Sequence, residues 1–267
     1  MRIAVASGKG GTGKTTVAVN LSAFNGIKLY DCDVEEPNAK VFIRGEEKER
    51  PVFRPVPELG EGCDLCGVCK DVCQYNAVVV LKDTVMFFPE ICHSCGACVY
   101  LCPKNAIREV NREVGRIVDV YNKDECVLTY GLLNIGEVSP VPVIKEMKKE
   151  MGRDAVIDCP PGVSCPMVES VRDADYVILV AEPTPFSFHD MKIAAEVVKE
   201  LGKPFGVVIN KYGLPYDVEK KCRELNYDVI GKIPFSREIA EMYSKGQLLE
   251  NVRDVFEGIY ERIREVV

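Results

Sequence analysis

The chain has 267 residues, of which 47% are hydrophobic and 28% charged, and its net charge is -7. This composition is that of a globular protein. Because the net charge is negative, we expect neither nucleic acid nor an anionic lipid surface as a partner. No run approaches the roughly 20 apolar residues of a membrane-spanning helix, and no signal peptide precedes the first apolar strand. We therefore expect a cytoplasmic protein whose thirteen cysteines serve metal or redox chemistry rather than disulfides.

The first element is a short apolar strand, Arg2–Ser7, which runs into a glycine-rich loop and then a helix over Thr15–Phe24. The loop matches G-x-x-x-x-G-K-[ST], whose glycines let backbone N–H groups curl around phosphate oxygens. Lys14 is expected to reach the terminal phosphates of ATP or ADP, and the Thr15 hydroxyl to ligate Mg²⁺. The predicted nucleotide-binding residues here are Gly8, Lys9, Gly10, Gly11, Thr12, Gly13, Lys14, Thr15 and Thr16.

A second apolar strand, Ile27–Tyr30, ends at Asp31 and Asp33, so that acidic side chains project from its carboxyl end. A proline-spotted segment and a cysteine-rich block follow, after which strands and helices alternate again. Further strands are predicted at Ala155–Ile157, Tyr176–Ala181, Phe205–Ile209 and Val229–Ile233. Helices are predicted at His189–Leu201, Val218–Leu225 and Val252–Val266.

This alternation predicts an α/β fold, a doubly wound and mostly parallel sheet covered by helices on both faces. The cysteine-rich block interrupts this alternation of strands and helices. We therefore predict one discontinuous P-loop domain, residues 1–50 and 112–267, and a small inserted α+β domain, residues 51–111.

Eight cysteines form two copies of the run C-x2-C-x2-C-x3-C, which is typical of bacterial ferredoxins with two 4Fe-4S clusters. In such modules the fourth cysteine of each run serves the other cluster. One cluster is predicted to bind Cys63, Cys66, Cys69 and Cys102. The other is predicted to bind Cys92, Cys95, Cys98 and Cys73.

Zinc is the alternative ligand for these thiols, but two matched runs of four cysteines are not a zinc-ribbon pattern. Gly67, Gly96, Ala77 and Ala97 are small enough for the chain to wrap tightly around a cluster. The second run ends in Cys-Pro, whereas Gln74 follows the first run, a departure that affects packing rather than ligation.

A second lysine inside the loop, Lys9, resembles the signature lysine of the deviant P-loop ATPases, a family that includes MinD, ParA, Mrp and the nitrogenase iron protein. The resemblance covers residues 1–45 and 125–267. It implies a homodimer that sandwiches nucleotide, in which Lys9 contacts the nucleotide of the opposite subunit. There it would neutralise the charge that builds as the phosphoryl bond breaks.

The other family motifs match in sequence order. Asp33 resembles the switch aspartate that positions the attacking water, with Asp31 as a nearby alternative, and Asp158 resembles the acidic residue that holds Mg²⁺ through a water. The positions that resemble the adenine-binding segments are Asn210, Lys211 and Pro234. The resemblance thus assigns catalytic roles to Lys9, Lys14, Asp33 and Asp158.

Five cysteines lie outside the two runs: Cys32, Cys126, Cys159, Cys165 and Cys222. Buried, inert thiols are the default interpretation. A sharper one follows the nitrogenase iron protein and Mrp, in which paired cysteines hold a cluster between subunits. Cys165, alone or together with Cys126, would take this role, although the Cys-Pro-x-Cys pair of Mrp is absent. About eight irons per chain fit the two runs alone, and about ten would indicate a shared cluster.

The whole chain resembles MinD-superfamily ATPases that carry an inserted ferredoxin domain. Our lead hypothesis is an ATPase whose nucleotide state controls electron transfer through two clusters to a partner protein, because the insert directly follows the switch segment containing Asp33. The alternative is an Mrp-type carrier that delivers clusters to an apo-protein. A spatial organiser is disfavoured by the lack of a basic surface helix, and an amide synthase by the lack of a glutaminase domain.

Overall fold

Eleven strands and nine α-helices alternate along the chain in the computed structural model, which describes all residues, Met1–Val267. The strands are β1 (Arg2–Ala6), β2 (Leu29–Asp31), β3 (Glu46–Leu59), β4 (Val78–Val80), β5 (Val85–Phe87), β6 (Ile107–Asn122), β7 (Glu125–Leu133), β8 (Ala155–Asp158), β9 (Tyr176–Ala181), β10 (Phe205–Tyr212) and β11 (Val229–Pro234). The helices are α1 (Lys14–Asn25), α2 (Val68–Asp71), α3 (Ala97–Tyr100), α4 (Val141–Lys149), α5 (Cys165–Val171), α6 (Pro185–Glu200), α7 (Val218–Glu224), α8 (Arg237–Ser244) and α9 (Arg253–Arg264).

Nine of the strands form one sheet in the order β11-β10-β9-β1-β8-β2-β7-β6-β3. The seven strands from β11 to β7 run parallel to one another, and β6 and β3 extend the sheet in antiparallel fashion. The prediction of an α/β fold with a mostly parallel sheet is therefore confirmed. Because parallel strands end at one edge, the loops that follow β1, β2, β8, β9 and β10 meet there.

Side chains of successive strand residues enter two separate cores, one on each face of the sheet. In β1, Ile3 and Val5 pack in the layer that contains α1 and α9. Ala4 and Ala6 pack in the layer that contains α4 to α7. Burial of both faces explains why the parallel strands are continuous apolar runs. No helix combines the length and the apolar character needed to cross a membrane.

The antiparallel extension is a long two-stranded ribbon. β3 pairs with β6 from Glu46 opposite Tyr121 to Leu59 opposite Ile107. The boundaries predicted at residues 50/51 and 111/112 thus fall inside two continuous strands rather than in linkers. Three prolines in β3 are typical of a loop rather than a strand. However, β3 is an edge strand of the sheet, and proline is tolerated there because only one side of the strand has a hydrogen-bonded neighbour.

The segment between the two ribbon strands, residues 60–106, contains the cysteine-rich block. It consists of the β4-β5 hairpin and two one-turn helices, α2 and α3, each lying within one cysteine run. A small separate core of Cys69, Val78, Val85 and Ile107 holds these parts together. At its base the Gly60 amide donates a hydrogen bond of 2.8 Å to the Ala106 carbonyl.

Candidate functional site

The glycine-rich loop joins β1 to α1 at the carboxyl edge of the parallel strands. α1 begins at Lys14, and Gly11 and Gly13 have φ values of 78° and 94°, a region that favours glycine. A side chain at Gly13 would also collide with the Asn210 amide. The loop is therefore shaped by its glycines, and its free N–H groups converge at the positive end of α1.

Asp158, the last residue of β8, faces this loop. Both of its carboxylate oxygens are buried without a hydrogen-bond partner, as is the Thr12 hydroxyl. Burial raises the pKa of Asp158 to about 6, although the Lys14 ammonium and the nearby Thr15 hydroxyl act in the opposite direction. Native proteins rarely leave buried polar atoms unpaired, so a cationic or hydrogen-bonding ligand fits between Asp158 and the loop.

Asp31 and Asp33 occupy different positions. The Asp31 carboxylate is fully buried and accepts hydrogen bonds from the Asp33 amide at 3.1 Å and the Ala39 amide at 3.0 Å. Burial and the neighbouring Asp158 raise the pKa of Asp31 well above its ordinary value. Asp33 is half-buried, its pKa is raised by burial, and the Lys14 charge counteracts that rise. Asp31 therefore orders the segment that follows β2, and Asp33 is the acid left facing Lys14.

Lys9 does not project freely from the loop. Its ammonium lies 2.8 Å from Glu182 Oε1, while Lys211 Nζ lies 2.8 Å from Glu182 Oε2. Burial favours protonation of Glu182, but hydrogen bonds from Lys211 and Lys9 hold its pKa below the ordinary value. Glu182 was not predicted from the sequence. It directly follows β9, so the strand-end argument that was applied to Asp31 and Asp33 would also have identified it.

Asn210 connects the glycine-rich loop to the carboxyl end of β10. Its side-chain amide donates to the Thr12 carbonyl at 2.9 Å, and its side-chain oxygen accepts from the Lys211 amide at 2.9 Å. An open cavity lies beside these residues, between the glycines of the loop and helix α8. It is lined by Gly11, Gly13, Thr16, Asn210, Lys211, Pro234, Phe235, Ser236, Ile239, Ala240 and Tyr243. The predicted base-binding residues are thus brought together.

The eight cysteines of the two runs surround two further cavities in the inserted segment. One is lined by Cys63, Cys66, Cys69 and Cys102. The other is lined by Cys73, Cys92, Cys95 and Cys98. In both cases the fourth cysteine of one run joins the first three of the other, which is the crossed arrangement expected from the sequence.

The backbone around both cavities is wrapped tightly. Gly67 and Gly96, which precede α2 and α3, have φ values of 84° and 72°. The amides of Ala77 and Ala106 each donate to the sulfur of the cysteine four residues earlier, at 3.3 Å. The Ser94 amide donates to the Cys92 sulfur at 3.4 Å. Hydrogen bonds to cysteine sulfurs are one of the ways in which proteins tune iron-sulfur sites.

No three His, Cys, Asp or Glu side chains are grouped closely enough to hold a single metal ion. A zinc site needs four ligands around one ion, at about 2.3 Å for each sulfur. A 4Fe-4S cluster instead places each thiolate on a different iron, so its sulfurs lie farther apart. Four cysteines line each of the two cavities, and four thiolates are the donor set that one 4Fe-4S cluster uses.

The remaining cysteines do not form a further group. Cys126 lies in the amino-terminal part of β7, whereas Cys165 is exposed beyond the carboxyl end of β8. Because both strands run parallel to β2, these two thiols lie at opposite edges of the sheet. A cluster held by both cysteines of one chain is therefore incompatible with the fold. Cys32, Cys159 and Cys222 are buried thiols, as expected.

Comparison with known proteins agrees with the nucleotide-site geometry. Residues 3–249 match the family described as CobQ/CobB/MinD/ParA nucleotide binding domain. Uncharacterized protein MJ0578 of Methanocaldococcus jannaschii is 32% identical over 287 residues, which cover 100% of this chain and 98% of that protein. An iron-sulfur cluster carrier protein of the same organism is 26% identical over 304 residues, covering 100% of this chain and 84% of the relative.

Solved structures share the fold. The septum site-determining protein MinD of Pyrococcus horikoshii, complexed with Mg-ADP, aligns with a TM-score of 0.60 at 18% identity, covering 99% of this chain and 96% of that one. The cell division ATPase MinD of Pyrococcus furiosus aligns with a TM-score of 0.58 at 20% identity, covering 100% and 99%. The chain belongs to the CobQ/CobB/MinD/ParA family of nucleotide-binding domains.

Proposed function

We propose that this protein is a MinD/ParA-type ATPase that acts as a homodimer and whose nucleotide state controls electron transfer through two 4Fe-4S clusters to a partner protein. One observation carries the proposal. A single chain combines a phosphate-binding loop facing an unpartnered buried carboxylate with two cavities that are each lined by four cysteines. The loop with its carboxylate suits a Mg²⁺-nucleotide, and the two cysteine cavities suit 4Fe-4S clusters.

At the nucleotide site, the loop amides and Lys14 bind the phosphates. Thr15 and Asp158 would hold Mg²⁺, which would neutralise phosphate charge, and Asp33 would orient the attacking water. Asn210, Lys211 and Pro234 surround the base. The unpaired oxygens of Asp158 support this assignment, because a hydrated cation supplies the partners that the buried carboxylate lacks. The Mg-ADP complex of the structurally similar Pyrococcus horikoshii protein is consistent with it.

Dimer formation requires a change at Lys9. Its ammonium is paired with Glu182 of the same chain, so it becomes available to the opposite subunit only when that ion pair opens. We expect Lys9→Ala to retain ATP binding within a few-fold but to lose nearly all hydrolysis, because the missing charge acts mainly in the transition state. Equilibrium binding of a fluorescent ATP analogue tests whether ATP binding is retained, and phosphate release tests whether hydrolysis is lost. Unchanged turnover would remove the trans-acting role of Lys9.

The inserted segment, predicted as domain 51–111, is proposed to hold the two clusters with the crossed ligand sets Cys63, Cys66, Cys69, Cys102 and Cys92, Cys95, Cys98, Cys73. Bound clusters supply one-electron redox chemistry. The chain itself supplies eight thiolates, amide donors to three of their sulfurs and a largely apolar lining. Since the segment is carried by β3 and β6 of the main sheet, it is mechanically continuous with the ATPase domain.

The test is to measure the reduction potentials of the clusters in the anaerobically reconstituted protein with and without a non-hydrolysable ATP analogue. Gating predicts that the analogue shifts the potential of at least one cluster, because a closed dimer changes its solvent exposure or hydrogen bonding. ADP is the matched control, since it occupies the same site without the γ-phosphate. Equal potentials in the nucleotide-free, ADP and analogue states would contradict nucleotide gating.

The second candidate is an iron-sulfur cluster carrier of the Mrp type. It is favoured by the full-length similarity to the Methanocaldococcus jannaschii carrier protein and by the exposure of Cys66 and Cys95, through which a bound cluster could leave. Incubation with an apo-ferredoxin discriminates between the two. Transfer of clusters to the acceptor, together with rapid stripping by a chelator, would support the carrier, whereas retained clusters that reduce an acceptor protein would support electron transfer.

A further inference from the structure

The second cysteine cavity, lined by Cys73, Cys92, Cys95 and Cys98, is tied to the ATPase domain by one buried arginine. Arg54 lies in β3, and its guanidinium donates to the carbonyls of Cys92 and Pro89 and to the Ser94 hydroxyl. It therefore fixes the backbone on both sides of the first cysteine of the second run. Its own charge is balanced by Glu137, whose Oε2 lies 2.7 Å away.

The Arg54–Glu137 pair is almost completely buried, with side-chain exposures of 6% and 3%. Arg112, directly opposite Arg54 in the β3-β6 ribbon, contacts the other Glu137 oxygen at 2.9 Å. Two arginines opposite each other repel, so Glu137 is needed to keep both in place. Breaking one partner of such a buried pair strands an uncompensated charge, and the connection therefore behaves as a rigid unit.

Glu137 belongs to the loop that follows β7, and the end of β7 itself lies next to the switch segment that contains Asp33. The amide of Leu133, the last residue of β7, donates to the Val34 carbonyl at 2.9 Å. Gly131 packs so closely on Val34 that a side chain at residue 131 would collide with it. Val34 directly follows Asp33, which faces Lys14. Contacts therefore run from the phosphate site to the end of β7, the backbone of residues 133–137 leads from there to Glu137, and Glu137 contacts Arg54, which binds the Cys92 carbonyl.

The first cavity has no such connection. Its lining side chains at residues 63–69 and 102–104 make hydrogen bonds and ion pairs only within the inserted segment. The two runs also differ at equivalent positions beside their cavities. Asp64 and Lys104 form an exposed ion pair of 3.7 Å at the first cavity, whereas Tyr75 and His93 stack at 3.8 Å at the second. The internal repeat has thus diverged so that only its second half is linked to the nucleotide-binding part.

We propose that Arg54 and Glu137 are positioning residues that transmit nucleotide state to the second cysteine cavity and not to the first. This inference rests on the proposed function, because it names which cluster responds. When the switch segment moves on nucleotide binding, the β7 end and Glu137 move with it, and Arg54 shifts the Cys92 backbone and the amides around its sulfur. The first cluster keeps the same environment in all nucleotide states.

The experiment compares the reconstituted wild type with Glu137→Gln, which removes the charge but keeps the side-chain shape, and Glu137→Asp, which keeps the charge but shortens the reach. Glu90→Gln is the matched control, because Glu90 contacts Arg112 at the exposed end of the same network. Two quantities are measured with and without a non-hydrolysable ATP analogue: cluster potentials, and hydrogen exchange of the amides in residues 89–98. Iron content and melting temperature establish that each variant is folded and loaded.

In the wild type we expect the analogue to shift one of two potentials and to change hydrogen exchange in residues 89–98 but not in residues 60–69. Both responses should fall at least two-fold in Glu137→Gln and Glu137→Asp and remain in Glu90→Gln. Full responses in both Glu137 variants, or a response confined to residues 60–69, would overturn the inference while leaving nucleotide gating intact. A wild type whose potentials ignore the analogue would overturn the proposed function and this inference together.

Discussion

Lys14→Ala is expected to weaken ATP binding by about 100-fold, or about 3 kcal/mol, because the variant loses charge-assisted hydrogen bonds to the terminal phosphates. Lys14 is buried at the start of α1 between the loop and the two acidic residues. Its charge also opposes the rise in pKa that burial imposes on Asp158 and Asp33. Without it, Asp158 is more easily protonated and holds Mg²⁺ less well, so hydrolysis should be lost together with binding.

Isothermal titration of the protein with Mg²⁺-ATP measures the change. Lys149→Ala is the control, because that lysine is exposed on α4 and pairs only with Glu146. An iron content equal to that of the wild type would show that the loss is local to the nucleotide site. If Lys14→Ala bound ATP within a few-fold of the wild type, the phosphate-binding role of the loop would be wrong.

Pairs of cysteine substitutions are expected to reveal the crossed ligand sets. The wild type should contain about eight irons per chain, and losing one cluster should leave about four. Cys73→Ala combined with Cys95→Ala removes two ligands of one cavity, so about four irons should remain. Cys73→Ala combined with Cys66→Ala affects both cavities, although both residues belong to one run, and nearly all iron should be lost.

Iron analysis gives the count, and low-temperature paramagnetic resonance gives an independent readout. Two neighbouring reduced clusters should interact magnetically in the wild type, and the Cys73→Ala/Cys95→Ala variant should show one isolated signal. Cys165→Ala, an exposed cysteine outside both runs, is the control and should retain about eight irons. The reverse pattern in the two double variants would assign each run its own cluster. Stoichiometric zinc in place of iron would contradict the cluster proposal itself.

The parallel part of the sheet could be predicted from the sequence because each strand is marked by its own run of apolar residues. Strands such as β9 are buried on both faces, so they appear as uninterrupted apolar runs, and the predicted range Tyr176–Ala181 is the observed one. The ribbon could not be predicted in this way. β3 carries prolines and charged residues that normally indicate a loop, and only its pairing with β6 across the inserted segment makes it a strand.

The site divides along the same line. Short motifs led to the predictions for the loop, Asp158 and Asn210, and the spacing of the cysteines led to the crossed ligand sets, whose members the structure places around two cavities. The choice between Asp31 and Asp33 needed coordinates, since it depends on which carboxylate the backbone amides already occupy. Arg54 and Glu137 are separated by 83 residues, and nothing in the sequence pairs them.

The prolines of β3 also limit how two copies of the chain can meet. An outer strand normally offers a row of free N–H groups on which another sheet can grow, a common origin of fibrous aggregates. Pro51, Pro55 and Pro57 have no amide hydrogen, so three of the fourteen residues of this strand offer no N–H donor to an incoming strand. Extension of the sheet from one molecule to the next is therefore disfavoured at the β3 edge.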